Sequence, residues 1–212
     1  MSHEQEGVIK YQLTHTDKSL PAHYSITELN AWRTLMCRLQ LIGQDNQRYD
    51  GYGFGNISQR AKTFDKFIIS GTQTGEHPLL GRDHYCLVTH ANPELNQIHS
   101  TGSCKPSSEA LTHASVYLQD DAIKGIIHAH CPEIWKNTTQ LALPYTESNI
   151  AYGTPEMAFA MNHLFEQEKW QATTVFSLLG HEDGVIAFGE NLHQAANALI
   201  EQFSLALAIE QG

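Results

Sequence analysis

The pair His128-Ala129-His130 arrives directly after the apolar run Ile126-Ile127. If Ile123 to His130 is a strand, both imidazoles point to one face, because side chains alternate across a pleated sheet. That spacing suits a shared metal ion, and it equally suits polar lining near a strand end. The segment upstream raises the weight of the metal reading. Lys105-Pro106-Ser107-Ser108-Glu109 runs into Ala110-Leu111-Thr112-His113-Ala114-Ser115-Val116-Tyr117-Leu118. Ser107 or Ser108 can cap a first helical turn, and Leu111, Ser115 and Leu118 keep helical spacing. Glu109 then sits in that first turn, where the helix dipole favours a carboxylate and the free backbone N–H groups are donors for an anion. A proton-moving carboxylate, an anion site and a two-point metal clamp are thus brought near one another in sequence.

The elements that must position these groups read as a mixed α/β chain. Met1 to Ala22 is expected to be a flexible N-terminal arm, with one domain over residues 23–212. Ser25 to Ile42 has amphipathic helical spacing through Leu29, Trp32, Leu35, Met36 and Leu39, with Gly43 as a stop. Strands are expected near Asn56 to Ala61, Lys66 to Ser70 and Tyr85 to Thr89, as antiparallel neighbours. Pro155 to Glu166 reads as a helix, Thr173 to Leu179 and Gly184 to Phe188 as a hairpin, and Leu192 to Glu210 as a closing helix. The expected architecture is a central sheet with helices packed on it.

Composition narrows the function classes. With 212 residues, 41% hydrophobic and 17% charged, the chain can bury one full core. Lys and Arg total 13 against 23 Asp and Glu, a formal net charge of -10, which argues against nucleic acid or an anionic membrane as partner. A phosphate would therefore have to be held locally, by oriented neutral donors. Met1 to Ser19 has no apolar stretch resembling a signal peptide, and no run approaches the roughly 20 residues that span a bilayer. A cytoplasmic protein is the expectation. Cys37, Cys86, Cys104 and Cys131 form no C-x-x-C pair, which suits reduced thiols rather than a thiolate zinc knuckle. Strand alternation sends Cys131 to the face opposite His130.

Five strings in order extend the pattern: Gly55-Asn56-Ile57-Ser58, Ser70-Gly71-Thr72-Gln73-Thr74-Gly75, Lys105-Pro106-Ser107-Ser108-Glu109, His128-Ala129-His130, and His181 ahead of Gly184-Val185-Ile186-Ala187-Phe188-Gly189. From about Ser25 to the C-terminus the chain resembles the class II (zinc) aldolase and adducin head family, which includes fuculose-phosphate aldolase. The resemblance implies an α/β/α sandwich around a mainly antiparallel sheet, and a homotetramer with each active site near a subunit boundary. It implies zinc as cofactor, with His181 joining His128 and His130 as third ligand. His113, one helical turn after Glu109, is the main competitor for that place, and it is read instead as a core residue or a support behind the ligands. It further implies a phosphate pocket from Asn56, Ser58, Thr72, Thr74, Gly75, Ser107 and Ser108, with Lys105 at the rim, and Glu109 as the group that moves a proton.

Two departures accompany the match. The family places His directly before Gly, whereas Glu182 and Asp183 intervene here, and Gln73 stands where the family carries proline. A catalytic tyrosine is implied near Tyr152-Gly153-Thr154, with Tyr145 preferred over Tyr152. The chemistry expected is zinc-assisted cleavage of a small ketose phosphate, or the related epimerisation or dehydration. Catalytic zinc commonly keeps three protein ligands and one open position, and the enediolate left by bond cleavage needs a cation beside its oxygens. The alternatives are a noncatalytic adducin-head-like scaffold and a zinc hydrolase with Glu109 as base.

Overall fold

The computed structural model describes residues 7–62, 66–167, 170 and 172–212. In chain order, strand β1 is Gln12–Asp17, helix α1 Thr27–Arg38, β2 Gly43–Gln44, β3 Gly53–Phe54, β4 Asn56–Arg60, β5 Phe67–Ser70, β6 Tyr85–Asn92 and β7 Gln97–Gly102. Then come α2 Ala110–Tyr117, β8 Gly125–His130, α3 Pro132–Lys136, β9 Tyr145–Thr146, α4 Pro155–Glu166, β10 Val175–Leu178, β11 Gly184–Gly189 and α5 Leu192–Gln211. Nine strands form one sheet in the order β1-β7-β6-β5-β4-β8-β11-β10-β9. Only the outermost pairings, β1 with β7 and β9 with β10, are parallel.

Strand alternation divides the core into two layers. Ile57, Ile127, Ala129, Val185 and Ala187 pack with Leu29 and Met36 of α1, Ile134 of α3 and Leu192 and Leu199 of α5. On the other face, Ile69, Ile126, Phe176, Ile186 and Phe188 pack with Leu111 of α2 and Met157, Met161 and Phe165 of α4. Helices thus cover both faces, the α/β/α sandwich expected. The central strands β8 and β11 are buried along their whole length, which accounts for their nearly unbroken apolar sequence.

Helix boundaries follow local chemistry. Pro155 opens α4 behind Thr154, whose hydroxyl accepts from Met157 N, and Asn191 caps α5 by accepting from Gln194 N. Helix α1 is shorter than the apolar spacing over Ser25 to Ile42 suggested. Gln40 takes φ 60, and Leu41 N donates back to Met36 O, ending the helix before Gly43.

The N-terminal segment differs from the expected arm. Its residues 1–6 lie outside the described residues, but Gln12–Asp17 is edge strand β1, in register with Gln97 to Gly102. Ahead of it, Tyr11 is buried and donates to Ser107 O at 2.8 Å. The sequences QLTHTD and QIHSTG each carry one apolar residue, so backbone pairing at the sheet margin holds them, and hydrophobic patterning carries no trace of it. No helix among the described residues is long and apolar enough to cross a membrane.

Candidate active site and metal centre

His128 and His130 stand on the α2 side of β8, two positions apart, with Ala129 and Cys131 in the opposite core. His181 lies in the turn between β10 and β11, which delivers it to the same end of the sheet because Gly184 is in register with His130. One ligand atom from each of the three histidines lies within 4.8 Å of the others, and all three residues are buried. Their rings sit 4.7 to 5.1 Å apart. His128 Nδ1 faces Val185 O at 3.2 Å, and its Nε2 has no hydrogen-bond partner among the described residues. Donation from Nδ1 leaves a lone pair on Nε2, aimed into the cluster. Burial, and then the neighbouring His181, hold both His128 and His130 well below the usual imidazole range, so both are neutral. This donor set is able to hold a metal ion.

Glu109 sits at the start of α2, at the N-cap position rather than inside the first turn. Its side chain makes no capping bond. One carboxylate oxygen accepts from Thr112 Oγ1 at 2.9 Å, and the other lies 3.9 Å from His181 Nδ1. Ser107 supplies the local turn bond, its Oγ accepting from Glu109 N. The carboxylate therefore spans from Thr112 of its own helix to the histidines.

A concave cradle adjoins the cluster, lined by Asn56, Ser70, Thr72, Thr74, Gly75, Ser107, Ser108, Glu109 and His128. Register explains the juxtaposition, since Asn56 on β4 lies directly opposite His128. Asn56 is buried, and its Oδ1 has no partner among the described residues. The Ser107 turn is stitched to the other loop through Ser107 N to Ser70 O and Thr72 N to Lys105 O. Gly75 is wedged against backbone, where an added Cβ would come within 2.2 Å of Gly43 O. Gln73, in the place of the family's proline, takes φ 54.

Two sequence-based assignments, Ser58 and Tyr145, are placed elsewhere, and His113, the alternative to His181, lies outside the histidine cluster. Ser58, two residues along β4 from Asn56, shares its face but lies beneath α2, bonded to His113 Nδ1 at 2.6 Å and Tyr117 OH at 2.9 Å. It belongs to the helix packing and not to the cradle wall. His113, fully buried, has its pKa lowered to about 3 by desolvation, and it serves this packing bond rather than the metal cluster. Tyr145 lies on β9, three strands from β8, roughly 14 Å at the usual strand spacing. There it is 44% exposed and lines a different cleft with Glu147 and His163. Tyr152, by contrast, lies beside the cluster, fully buried with its ring stacked 4.5 Å from that of His181. Lys105 is exposed at the rim.

Arg33 and the N-terminal segment were missed by sequence reasoning. Arg33 is 1% exposed and lines the cradle, holding the Thr72–Gly75 loop by donating to Thr74 O at 3.1 Å and to His77 O. Burial lowers its pKa from the ordinary value. The signal was present, because Leu29, Arg33 and Met36 are the buried positions of α1 and an arginine occupies a place that helical spacing gives to an apolar residue. Gly7 also lines the cradle, its carbonyl accepting from Thr72 Oγ1. Lys10 Nζ lies 3.7 Å over the Tyr152 ring. Nothing in the polar sequence of this segment marks it as part of the site.

Comparison with known proteins fits this geometry. Residues 41–206 match the class II aldolase and adducin N-terminal domain, and the chain belongs to that family. Among solved structures it is similar to the sugar-phosphate aldolase of Thermotoga maritima, with TM-score 0.65, 17% identity and coverage of 88% of this chain and 93% of that one. It is similar also to YgbL of Klebsiella pneumoniae, with TM-score 0.60, 20% identity and 87% of each chain covered. The L-fuculose-1-phosphate aldolase of Thermus thermophilus gives TM-score 0.52 at 18% identity, over 88% of this chain and 92% of that one. A comparison with curated protein sequences gives no match.

Proposed function

We propose that this protein is a zinc-dependent lyase that splits a small ketose phosphate, or carries out the closely related epimerisation or dehydration of a sugar phosphate. The observation that carries the reading is the meeting of three groups at one sheet end: the buried histidine cluster, the Glu109 carboxylate 3.9 Å from His181, and the cradle that shares Glu109 and His128 as walls. His128, His130 and His181 would hold the metal, and the orphaned, buried Nε2 of His128 fits that role. Three imidazoles suit zinc better than magnesium or calcium. When bound, zinc supplies Lewis acidity to substrate oxygens on which negative charge develops.

The chain's own residues do the rest. Asn56, Thr72, Thr74, Gly75, Ser107 and Ser108 surround the phosphate, and Arg33 adds a buried cation behind the loop. Glu109 takes a proton from the substrate and returns it; Thr112 holds one carboxylate oxygen while the other remains on the His181 side. Tyr152 packs the His181 ring in place, and the geometry of a single chain leaves Tyr145 outside this arrangement. The aldolases of Thermotoga maritima and Thermus thermophilus, named for sugar-phosphate and L-fuculose-1-phosphate substrates, share the fold and support the substrate class. A cytoplasmic homotetramer completes the reading.

The test is hydrogen exchange of dihydroxyacetone phosphate in deuterated water with zinc-loaded protein. Wild type is expected to wash deuterium into the hydroxymethyl carbon. Glu109→Gln should keep its zinc and lose a factor of about 10² to 10⁴ in exchange rate, as general acid/base groups typically contribute. Normal exchange in the variant removes Glu109 from the mechanism, and no exchange in loaded wild type overturns the lyase reading.

A further inference from the structure

Glu182 and Asp183 lengthen the turn between His181 and Gly184, and a longer turn leaves a metal ligand less well fixed unless something holds it. The structure contains such a restraint, supplied from a distant part of the chain. Tyr49 OH donates to Asp183 Oδ2 at 2.7 Å, and Arg48 Nη2 donates to Tyr49 OH at 2.8 Å. The same guanidinium reaches His130 O at 3.4 Å and lies 4.5 Å from the Phe54 ring centroid. The Tyr49 ring meets the His130 ring edge to face at 4.6 Å. From the other side, Asp183 O accepts from Cys131 N at 2.8 Å, and Gly184 N donates to His181 O at 2.9 Å.

Tyr49 and Asp183 also both adopt left-handed backbone conformations. Tyr49 has φ 50 and Asp183 has φ 58. The left-handed region is uncommon for any non-glycine residue, and especially so for a bulky aromatic one, so surrounding contacts must impose it. The Tyr49–Asp183 bond therefore joins two residues that both hold left-handed backbone conformations.

We propose that Tyr49 and Asp183 are a positioning pair, clamping the His181 to Gly184 turn against His130 and so setting the geometry of the metal site. The pair acts through the two histidines and touches no reacting atom. This inference rests on the metal reading above. It differs from that reading in assigning the fine geometry of the site to residues outside the ligand set.

Zinc affinity of the whole protein, measured by competition with a chromophoric chelator, separates the two. Partners that orient metal ligands typically change affinity by roughly 10- to 100-fold when removed. Tyr49→Phe keeps the ring against His130 and loses only the hydroxyl. Its metal-free form is expected to melt with the wild type, while its zinc dissociation constant rises by about that factor and the visible absorption bands of its cobalt-substituted form shift. Asp183→Gly takes the positive φ without strain and lacks the acceptor, so it should show the same loss and carries the test if Tyr49→Phe does not fold. Asp183→Asn, which tolerates the left-handed region and still offers an oxygen, should restore near-wild-type affinity. The double variant Tyr49→Phe with Asp183→Gly should be no weaker than Asp183→Gly alone, since both changes remove one bond. Zinc affinity within twofold of wild type and an unaltered cobalt spectrum in both single variants overturn the proposal, as does a lowered melting temperature with affinity unchanged. Failure of wild type to bind zinc at all overturns the metal reading itself, and this inference with it.

Discussion

His128 and His130 stand on one central strand, hydrogen-bonded to β4 on one side and β11 on the other, whereas the cradle beside them is assembled mostly from separate loops at Gly7, Thr72–Gly75 and Ser107–Ser108, joined by Asn56 at the start of β4. One half of the site is a periodic element whose side chains carry the chemistry. The other is a set of loop backbones held by bonds that reach across the fold, from Arg33 to Thr74 O and His77 O and from Tyr11 to Ser107 O. The two halves should fail differently. On the proposed function, damage to the strand half should remove metal ligands outright, while damage to the loop half should shift a shape and weaken binding by degrees.

The largest effect is expected in the strand half. Combining His128→Ala with His130→Ala deletes two of the three proposed ligand side chains, both from a strand whose backbone pairing does not depend on them. Elemental analysis should find no zinc in a protein whose circular dichroism remains that of the wild type. Full retention of zinc would place the metal elsewhere and dissolve the contrast between the halves. His113→Ala is the control, since its ring is engaged with Ser58 and lies outside the cluster.

The same contrast explains what the sequence made legible. Alternation on a buried strand is a local rule, so His128 and His130 were visible as one face and Cys131 as the other. The strands and helices with apolar patterning, β4 through β6, β8, β10, β11, α4 and α5, were placed to within a few residues for the same reason. The polar edge strand β1 and its neighbour β7 escaped, because backbone pairing at a sheet margin needs no hydrophobic signature. Cradle membership also escaped in part, since it depends on which face lies at the mouth and which lies under α2. Arg33 was legible only as an exception, a charge at a buried helical position. Tyr145 and Tyr152 are seven residues apart in one segment without strong periodicity, and only the stacking of Tyr152 on His181 separates them.

A smaller and more selective effect is expected from Gly75→Ala in the loop half. The added methyl would sit 2.2 Å from Gly43 O and 2.8 Å from Gly53 Cα, both backbone atoms that cannot rotate away. The Thr72–Gly75 loop must move instead, at a cost of about 1–3 kcal/mol typical of overpacking. Isothermal titration with inorganic phosphate should show weakened binding, while zinc content remains that of the wild type. Loss of zinc and phosphate together would mean that the halves are one mechanical unit.

The smallest effect tests where the cradle ends. Asn56 and Ser58 are neighbours on the same face of β4, and sequence alone assigns both to the phosphate. Asn56 opens on the cradle beside His128, but Ser58 is covered by α2 and already bonded to His113 and Tyr117. Ser58→Ala would leave two buried polar groups short of a partner, and an unsatisfied buried group costs roughly 1–3 kcal/mol. The melting temperature should fall, and KM for a phosphorylated ketose should stay unchanged because no cradle wall is altered. Asn56→Ala should give the reverse, a higher KM with little loss of stability, since its Oδ1 has no partner among the described residues to lose. A raised KM in Ser58→Ala with an unchanged melting temperature would extend the cradle beneath the helix, and the boundary drawn here between packing and binding along β4 would have to move by one full alternation of the strand.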